Sequence, residues 1–284
     1  DCYIMSSSFS LSEQQKTFFT TFGFLSFPEL LADRVDTIID EFEAVWTGRG
    51  GGHNGQSHDG EKRSCIVPFI DQRPYLCSLL DDPRIVAIAE GLLGRDFNYM
   101  GSDGNYYAGD TPWHSDGWHK ELRHLKIAFY LDTLTRDSGA LRVIPGSHIR
   151  ADSFANDLEE HRTESDAHWG IAGDEVPAVA LEIQPGDVVC FQHNLKYAAF
   201  GGGGNRRMFT INLSERYPDD QLPVLEKYLE GFARFWVDRP YGEVMIDSAG
   251  PGRMRHLEQV MAHDSHIAAL SEKARQEMPE PSRG

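Results

Sequence analysis

KIAFYLDTL, at residues 126–134, is the first of several short apolar or alternating runs in the middle of the chain. Gly, Asp and Pro residues between these runs are turn signals. The other runs are GALRVIPGS at 139–147, VALEIQ at 179–184, DVVCFQH at 187–193 and MFTINL at 208–213. Many short strands separated by turns are typical of an all-β barrel or sandwich. The sequence therefore predicts a β core over about residues 96–215.

Helical patterns precede this core. Ser10 and Glu13 fit a capping box, and Pro28 suits the first turn of a helix whose apolar positions recur at helical spacing as far as Trp46. Gly94 follows a further helical run and is expected to end it. The predicted helices cover about 10–23, 28–46 and 83–93.

Helical patterns return after the core, near 219–236 and 253–276. Helices on both sides of a β core indicate an α+β protein. We expect one domain over residues 1–284. Its parts are a helical N-terminal part at 10–95, the core at about 96–215 and a C-terminal helical extension at 216–284.

Charge and cysteine content narrow the class of protein. The 284 residues carry a formal charge of −17, which repels nucleic acid and anionic membranes, so neither is an expected partner. No apolar run reaches the roughly 20 residues that span a bilayer, and the N-terminus shows no secretion signal. Four scattered cysteines without a CxxC motif predict reduced thiols and a cytoplasmic location.

A polar, glycine-rich segment at residues 47–63 contains His53 and His58. The segment offers no further ligand of fixed geometry, so a metal site is not favoured there. A mobile loop that covers a pocket is the better interpretation of this composition.

The segment Thr111-Pro112-Trp113-His114-Ser115-Asp116-Gly117 carries the chemistry. On a strand, two side chains at i and i+2 point to the same face, roughly 6.5 Å apart. An imidazole and a carboxylate in that arrangement suit ferrous iron. With one more ligand from another strand, half of an octahedron stays open for a co-substrate and dioxygen. We therefore predict that His114 and Asp116 bind a metal ion.

Further segments follow His114 and Asp116 in a characteristic order. They are SGALRVIPGSH at 138–148, PGD at 185–187 and, after a glycine-rich hairpin, the pair Arg206-Arg207. With the N-terminal helices, these segments resemble the phytanoyl-CoA dioxygenase family of Fe(II)/2-oxoglutarate-dependent oxygenases. The resemblance covers roughly residues 10–215. It implies a double-stranded β-helix barrel, of the jelly-roll or cupin-like kind, with iron near one mouth.

The resemblance also implies that a basic residue on the last core strand binds 2-oxoglutarate. Arg206 and Arg207 are the candidates, since a guanidinium matches a carboxylate in two hydrogen bonds. Alternation favours Arg206, which shares a face with polar residues, whereas Arg207 aligns with an apolar set that would pack under the outer helices. A bulge near the glycine-rich hairpin would exchange the two.

The third metal ligand departs from the family pattern. By the family's spacing the expected histidine position is Tyr197, and His193 lies four residues earlier. On one regular strand the two would be about 13 Å apart, too far to bind one ion together. Three interpretations stay open. Tyr197 binds as a phenolate, which favours Fe(III); His193 is the ligand after a register shift; or Tyr197 only fills the pocket.

Other polar and aromatic residues near these motifs have plainer interpretations. Solvent contact or hydrogen bonding around the metal ligands is expected of His119, His124 and His148. Core packing is as well supported as a substrate-lining role for Tyr106, Trp113 and Trp118. A solvated charged face is the expectation for Lys120 and Arg123.

The function that follows is hydroxylation of a small organic substrate with iron, 2-oxoglutarate and dioxygen. The family's halogenating relatives replace the carboxylate at the position of Asp116, so its presence indicates hydroxylation. The alternative is a ferric-tyrosinate, iron-binding or redox-sensing protein with this fold and weak or no turnover, because phenolate stabilises Fe(III). The acidic surface and the C-terminal helices also suggest a homodimer.

Overall fold

The computed structural model describes residues 9–284. The strands are β1 (Phe24–Phe27), β2 (Ser64–Ile66), β3 (Asn98–Tyr107), β4 (Thr111–His114), β5 (His124–Tyr130), β6 (Leu141–Val143), β7 (Val179–Leu181), β8 (Val188–Gln192), β9 (Tyr197–Ala199) and β10 (Arg206–Ser214). One sheet has the order β1-β8-β5-β10-β3-β2, and the other has the order β4-β9-β6-β7. The paired strands are antiparallel throughout.

The two sheets face each other and form a double-stranded β-helix, which confirms the predicted α+β class. Side-chain alternation explains the arrangement, because successive residues of a strand point to opposite faces. On β8, Val189 and Phe191 point between the sheets, whereas Val188 and Cys190 join the core under the helices. The strand β8 thus contributes to two cores.

Most helices cover the outer face of the six-stranded sheet, whereas the helical segment at 153–169 packs on the four-stranded sheet, where Leu158 and Trp169 contact its core. The helices are α1 (Glu13–Phe22), α2 (Val35–Gly48), α3 (Pro74–Cys77), α4 (Pro83–Leu93), α5 (Ser153–His161), α6 (Ser165–Trp169), α7 (Leu222–Leu229), α8 (Glu243–Asp247), α9 (Pro251–Met254), α10 (Glu258–Ala262) and α11 (Ile267–Glu277). Between residues 9 and 284 no helix is both long and apolar enough to cross a membrane. The prediction of α4 and of its end at Gly94 is confirmed.

The N-terminal part differs from prediction in three details. The cap of α1 is Ser12, whose hydroxyl accepts from the amide of Gln15, so the box lies two residues later than predicted. Pro28 starts no helix, because residues 28–34 form turns that dock on the loop before β8, where the amide of Glu29 donates to Asp187 at 2.7 Å. The part predicted to be helical also supplies β1 and β2 to the sheet.

The helical segment predicted at 253–276 is present as three successive helices, α9, α10 and α11. The expectation of a mobile loop needs correction. In the glycine-rich segment, His58 Nε2 donates to the carbonyl of Gly204 at 2.6 Å and its Nδ1 lies 2.7 Å from Ser64 Oγ. His53 is buried, and its Nε2 donates to the carbonyl of Pro281 at 2.9 Å. These hydrogen bonds hold the segment against the barrel, so the structure gives no support to a mobile loop.

The predicted reduced cysteines agree with the structure where it describes them. Cys65, Cys77 and Cys190 are buried free thiols. Burial raises the pKa of Cys65 and Cys77 to about 12, so these thiols are un-ionised at neutral pH. Cys2 lies outside the described residues.

Gly104 of β3 packs directly against the fully buried aromatic ring of Phe69. A Cβ atom at this position would lie 1.9 Å from Cδ2 of Phe69. That ring contacts Phe42 and Phe209, with centroids 5.2 and 5.7 Å away, so it has no room to move. We expect Gly104→Ala to lower the free energy of unfolding by about 1–3 kcal/mol, as overpacking does. Denaturant unfolding measures this.

The matched control is Gly203→Ala. Apart from Gly203 itself and its two neighbours in the chain, no atom of residues 9–284 lies within 4 Å of a Cβ built at this position. The unfolding midpoint of Gly203→Ala should stay near that of the parent protein. Equal midpoints for the two variants would show that the contact with Phe69 is not a constraint.

Candidate active site

His114 and Asp116 lie together at one mouth of the barrel. The strand β4 ends at His114, so Asp116 follows the strand instead of lying on it as predicted. Nevertheless both side chains line one cavity of about 660 Å³. The Nδ1–H of His114 donates to the carbonyl of Pro112 at 2.8 Å. This bond fixes the ring and leaves Nε2 as the nitrogen with a free lone pair.

Tyr197 stands directly beside this pair. Tyr197 on β9 pairs with His114 on β4, and the two ring centroids are 4.2 Å apart. The hydroxyl of Tyr197 donates to Oδ1 of Asp116 at 3.0 Å. Burial, together with the Asp116 carboxylate, raises the pKa of Tyr197 well above its ordinary value, so the side chain is a neutral phenol.

His193 reaches the same cavity because the predicted strand is broken. A turn separates β8 from β9, closed by the amide of Leu195 donating to the carbonyl of Gln192 at 3.0 Å. His193 and Tyr197 therefore both line the cavity that contains His114 and Asp116. The separation of about 13 Å expected for a regular strand therefore does not apply to these two residues.

The turn is held in place by a buried lysine. The ammonium of Lys196 lies 2.7 Å from Oε2 of Glu159, and it donates to the carbonyl of Asn194 at 3.0 Å. It also lies over the ring of Trp118, 3.5 Å from the centroid. These contacts satisfy the charge of Lys196 away from the cavity and fix the residue before Tyr197.

Lys126 is the residue at the site that the sequence did not reveal. Its ammonium, on β5, lies 2.9 Å from Oδ1 of Asp116. Burial favours neutral Lys126, but the carboxylates of Asp116 and Asp103 outweigh it and raise the pKa of Lys126. Burial likewise opposes ionisation of Asp116, but Lys126 together with His193 and His114 outweighs it and holds the pKa of Asp116 well below its usual range. The two form a buried ion pair at neutral pH.

Arg206 and Arg207 point to opposite faces of β10. Arg206 is buried and lines a small pocket of about 30 Å³ inside the barrel, next to the main cavity. Tyr107, Lys126 and Tyr197 line both spaces. Arg207 lies outside, with its Nη2 2.7 Å from Oδ1 of Asp132 and its Nη1 2.9 Å from Oε1 of Glu43.

The donor set fits a metal ion in part. Among residues 9–284, the buried Oδ2 of Asp116 has no hydrogen-bond partner. With Nε2 of His114 it offers one nitrogen and one oxygen, which suits a divalent transition metal. Lys126 opposes binding, since its positive charge is already next to the carboxylate. A cation at this site has to compete with that ion pair.

Three histidines also come together here, of which only His193 was considered as a metal ligand from the sequence. His119, His124 and His193 have ring nitrogens that all lie within 4.8 Å of one another. Burial lowers the pKa of His119 to about 4 and that of His193 to about 3, so both rings are neutral at pH 7. The spacing of these histidines in the sequence does not predict the group, because a turn and the pairing of strands bring its members together.

The other residues considered from the sequence lie elsewhere. Trp113 is buried in a third small core. Tyr106 packs on Trp46, with centroids 4.7 Å apart, and donates to Glu43 at 2.7 Å. His148 lies 3.1 Å from the carbonyl of Thr20. None of these three side chains is among those lining the 660 Å³ cavity in the described chain.

Comparison with known proteins gives a consistent result. A family model described as phytanoyl-CoA dioxygenase (PhyH) matches residues 20–208, more than half of the chain. The ectoine dioxygenase of Sphingopyxis alaskensis is 30% identical over 158 residues, which are 48% of this chain and 52% of that protein. The match thus spans about half the length of this curated relative.

Solved structures agree at the level of fold. The α-ketoglutarate-dependent carbocyclase SnoK of nogalamycin biosynthesis has a TM-score of 0.57 and 22% identity, over 72% of this chain and 84% of SnoK. HygX of Streptomyces hygroscopicus, solved with nickel and 2-oxoglutarate bound, has a TM-score of 0.57 and 16% identity, over 73% of this chain and 88% of HygX. At such identities the likeness concerns the fold alone.

The ion pair between Lys126 and Asp116 leads to a prediction about metal affinity. Replacing Lys126 with the similarly shaped methionine removes a positive charge 2.9 Å from a candidate ligand. Charges this close interact by several kcal/mol even at an effective dielectric constant of about 20. We expect Lys126→Met to bind Fe²⁺ at least about tenfold more tightly, measured by anaerobic calorimetry, and to melt at a lower temperature without metal.

Lys120→Met is the matched control. Lys120 is exposed and pairs only weakly with Glu121, at 3.8 Å. Its iron affinity should equal that of the parent protein. Weaker binding in Lys126→Met would mean that Lys126 positions Asp116 for the metal and does not compete with it.

Proposed function

Because the chain belongs to the phytanoyl-CoA dioxygenase family, we propose that it is an Fe(II)- and 2-oxoglutarate-dependent dioxygenase that hydroxylates a small organic substrate. The observation that carries the proposal is the shared cavity of His114 and Asp116, with Arg206 in the adjoining pocket. Relatives support the cofactors, since the ectoine dioxygenase of S. alaskensis has been solved with iron and with 2-oxoglutarate.

In this proposal His114 and Asp116 hold the iron, and Tyr197 takes the third protein position. Tyr197 is preferred over His193 because its hydroxyl already contacts Asp116, at 3.0 Å. A cation beside the hydroxyl would lower the pKa of the phenol by direct charge attraction. Iron supplies the activation of dioxygen, with 2-oxoglutarate as the source of two electrons.

Arg206 is the proposed partner of the 2-oxoglutarate carboxylate. Two of its nitrogens donate to backbone carbonyls, of Gly139 and Gly109, while its buried Nε has no partner among residues 9–284. No carboxylate of the described chain lies within ion-pair distance of it. A buried guanidinium without a counter-ion favours binding of an anion. Arg207 is already neutralised by Asp132 and Glu43.

The main cavity supports a substrate with both polar and apolar parts. Aromatic side chains of Tyr228 and Phe232 line it from the C-terminal helices, and Asn212 and Asp103 line it from the sheet. Its volume of about 660 Å³ suits a small organic molecule. Asp116 provides the carboxylate that the family's halogenating relatives replace, and its presence indicates hydroxylation.

No specific observation favours the alternative of an iron-binding or redox-sensing protein with weak or no turnover. The expected cytoplasmic location and the expected homodimer stay predictions.

The two arginines allow a direct test of cofactor binding. Arg206→Met removes charge-assisted hydrogen bonds to a carboxylate, each worth about 1.5–3 kcal/mol. We expect 2-oxoglutarate to bind the Fe²⁺-loaded protein at least about tenfold more weakly, measured by anaerobic calorimetry. Succinate formation in air should fall in parallel, and the parent should form none without dioxygen.

Arg207→Met is the matched control for this test. It removes the contacts with Asp132 and Glu43 outside the barrel, so thermal stability should fall while affinity for 2-oxoglutarate stays the same. If Arg207→Met weakens 2-oxoglutarate binding and Arg206→Met does not, the assignment is reversed. A parent protein that forms no succinate from 2-oxoglutarate in air contradicts the proposed activity.

Tyr197 can be tested by spectroscopy. Phenolate bound to Fe³⁺ gives a visible charge-transfer band, so the ferric protein should show one that Tyr197→Phe lacks. Tyr107→Phe is the control, because Tyr107 lines the same cavity without a hydrogen bond to Asp116. Tyr197→His should increase 2-oxoglutarate turnover, since a neutral imidazole favours Fe²⁺ more than phenolate does. A band that survives in Tyr197→Phe excludes Tyr197 as a ligand.

A further inference from the structure

We propose that His119, His124 and His193 form a second metal site, next to the His114–Asp116 pair, that binds a divalent transition cation such as Zn²⁺. The inference does not depend on the proposed function, because none of its three ligands belongs to the proposed iron site. It rests on the positions of the ring nitrogens, on their missing partners and on the elements that hold the rings.

The three imidazoles converge. One ligand nitrogen from each lies within 4.8 Å of the others. The ring centroid of His193 is 5.6 Å from that of His119 and 5.4 Å from that of His124. Three imidazoles around one open position form a known zinc-binding set.

The ring nitrogens are buried without hydrogen-bond partners. His124 and His193 are 2% and 3% exposed. Among residues 9–284, Nε2 of His119, Nδ1 of His124 and both ring nitrogens of His193 have no partner. A buried nitrogen without a partner is costly. In contrast, Nε2 of His124 lies 2.6 Å from the hydroxyl of Tyr217. Donation from this Nε2–H would leave the lone pair on Nδ1, the nitrogen that has no partner.

Backbone hydrogen bonds tie the three histidines together. The amide of His193 donates to the carbonyl of His124 at 3.1 Å, and the amide of Gly117 donates to the carbonyl of His193 at 3.1 Å. The side chain of Asn194 accepts from the amide of His119 at 2.7 Å and donates to its carbonyl at 2.9 Å. These bonds hold the backbones of all three ligands at fixed positions.

Gly117 makes room for the group. A Cβ atom at this position would lie 2.4 Å from Nε2 of His119. The absence of a side chain at Gly117 lets the ring of His119 fold back toward the other two.

One ring must turn when the ion binds. The rings of His119 and His124 are stacked, with centroids 3.7 Å apart and planes 7° from parallel. Lone pairs lie in the ring planes, so two parallel rings cannot direct them at one ion. His119 is the ring able to turn, because it is only partly buried and lies on the loop between β4 and β5.

An ion has a route to the group from the surface. His119 and Asn194 line an outer cavity of about 270 Å³, while His193 lines the central cavity. The three rings therefore lie between the two cavities. All three ligands are nitrogens, which suit zinc, copper or nickel and do not suit magnesium or calcium.

Another cluster on the surface must be excluded in the test. Asp157, His161 and His168 also lie close enough to hold an ion. They are partly or fully exposed, and His168 Nε2 is already 3.1 Å from Oδ1 of Asp157. We propose no role for that cluster, but zinc bound there would add to the measured amount.

The experiment counts Zn²⁺ bound to the full chain after dialysis, in a background with His161→Ala and His168→Ala. Adding His119→Ala should remove one equivalent of zinc or weaken its binding at least about a hundredfold. His119→Gln should do the same. His114→Ala should not affect that equivalent. The surface control His263→Ala should leave zinc binding unchanged, and circular dichroism checks the fold of each variant.

Co²⁺ provides a second readout. In a protein that also carries His114→Ala, so that Co²⁺ at the proposed iron site is disfavoured, its ligand-field spectrum should change when His119→Ala is added. The proposal is overturned if His119→Ala and His119→Gln bind as much zinc as the background. It is also overturned if His114→Ala and His119→Ala each remove the same single ion, since one ion would then be shared by both groups.

Discussion

The ion pair between Lys126 and Asp116 is the constraint around which the centre of the barrel is arranged. Lys126 belongs to the six-stranded sheet, whereas Asp116 follows a strand of the four-stranded sheet, so their 2.9 Å contact crosses the barrel. A buried carboxylate needs a positive partner. The same carboxylate oxygen accepts from Tyr197. The charge of Asp116 is therefore balanced before any cation binds. Metal affinity depends on the free energy needed to separate Lys126 from Asp116.

The broken strand between β8 and β9 determines which residues surround that charge. A regular strand would direct His193 and Tyr197 to positions about 13 Å apart. The turn fixed by Lys196 brings both to the same cavity and gives them different neighbours. Tyr197 lies against His114, whereas His193 lies against His119 and His124. One local irregularity thus places an oxygen-bearing ligand candidate beside the family's motif and creates a group of three histidines behind it.

Alternation in β10 separates the two arginines for a simple steric reason. Met208 lies in the core between the sheets, while Phe209, Ile211 and Leu213 pack under the helices. Arg206 therefore points inward and Arg207 outward. The apolar pattern predicted this without the structure, because successive side chains of a strand must alternate. Helix α4 was predictable in the same way, since Pro83 and Gly94 limit it locally.

Features that depend on residues close together in the chain were predictable from the sequence. These are the α+β class, the strands with alternating faces, the helix ends at glycine and the His114–Asp116 motif. Which distant side chains lie in contact depends on how the whole chain folds. Lys126 as the partner of Asp116, the docking of residues 28–34 on Asp187 and the meeting of His193 with His119 and His124 all depend on the pairing of strands and on turns. Such contacts join residues far apart in the chain, and no local spacing records them.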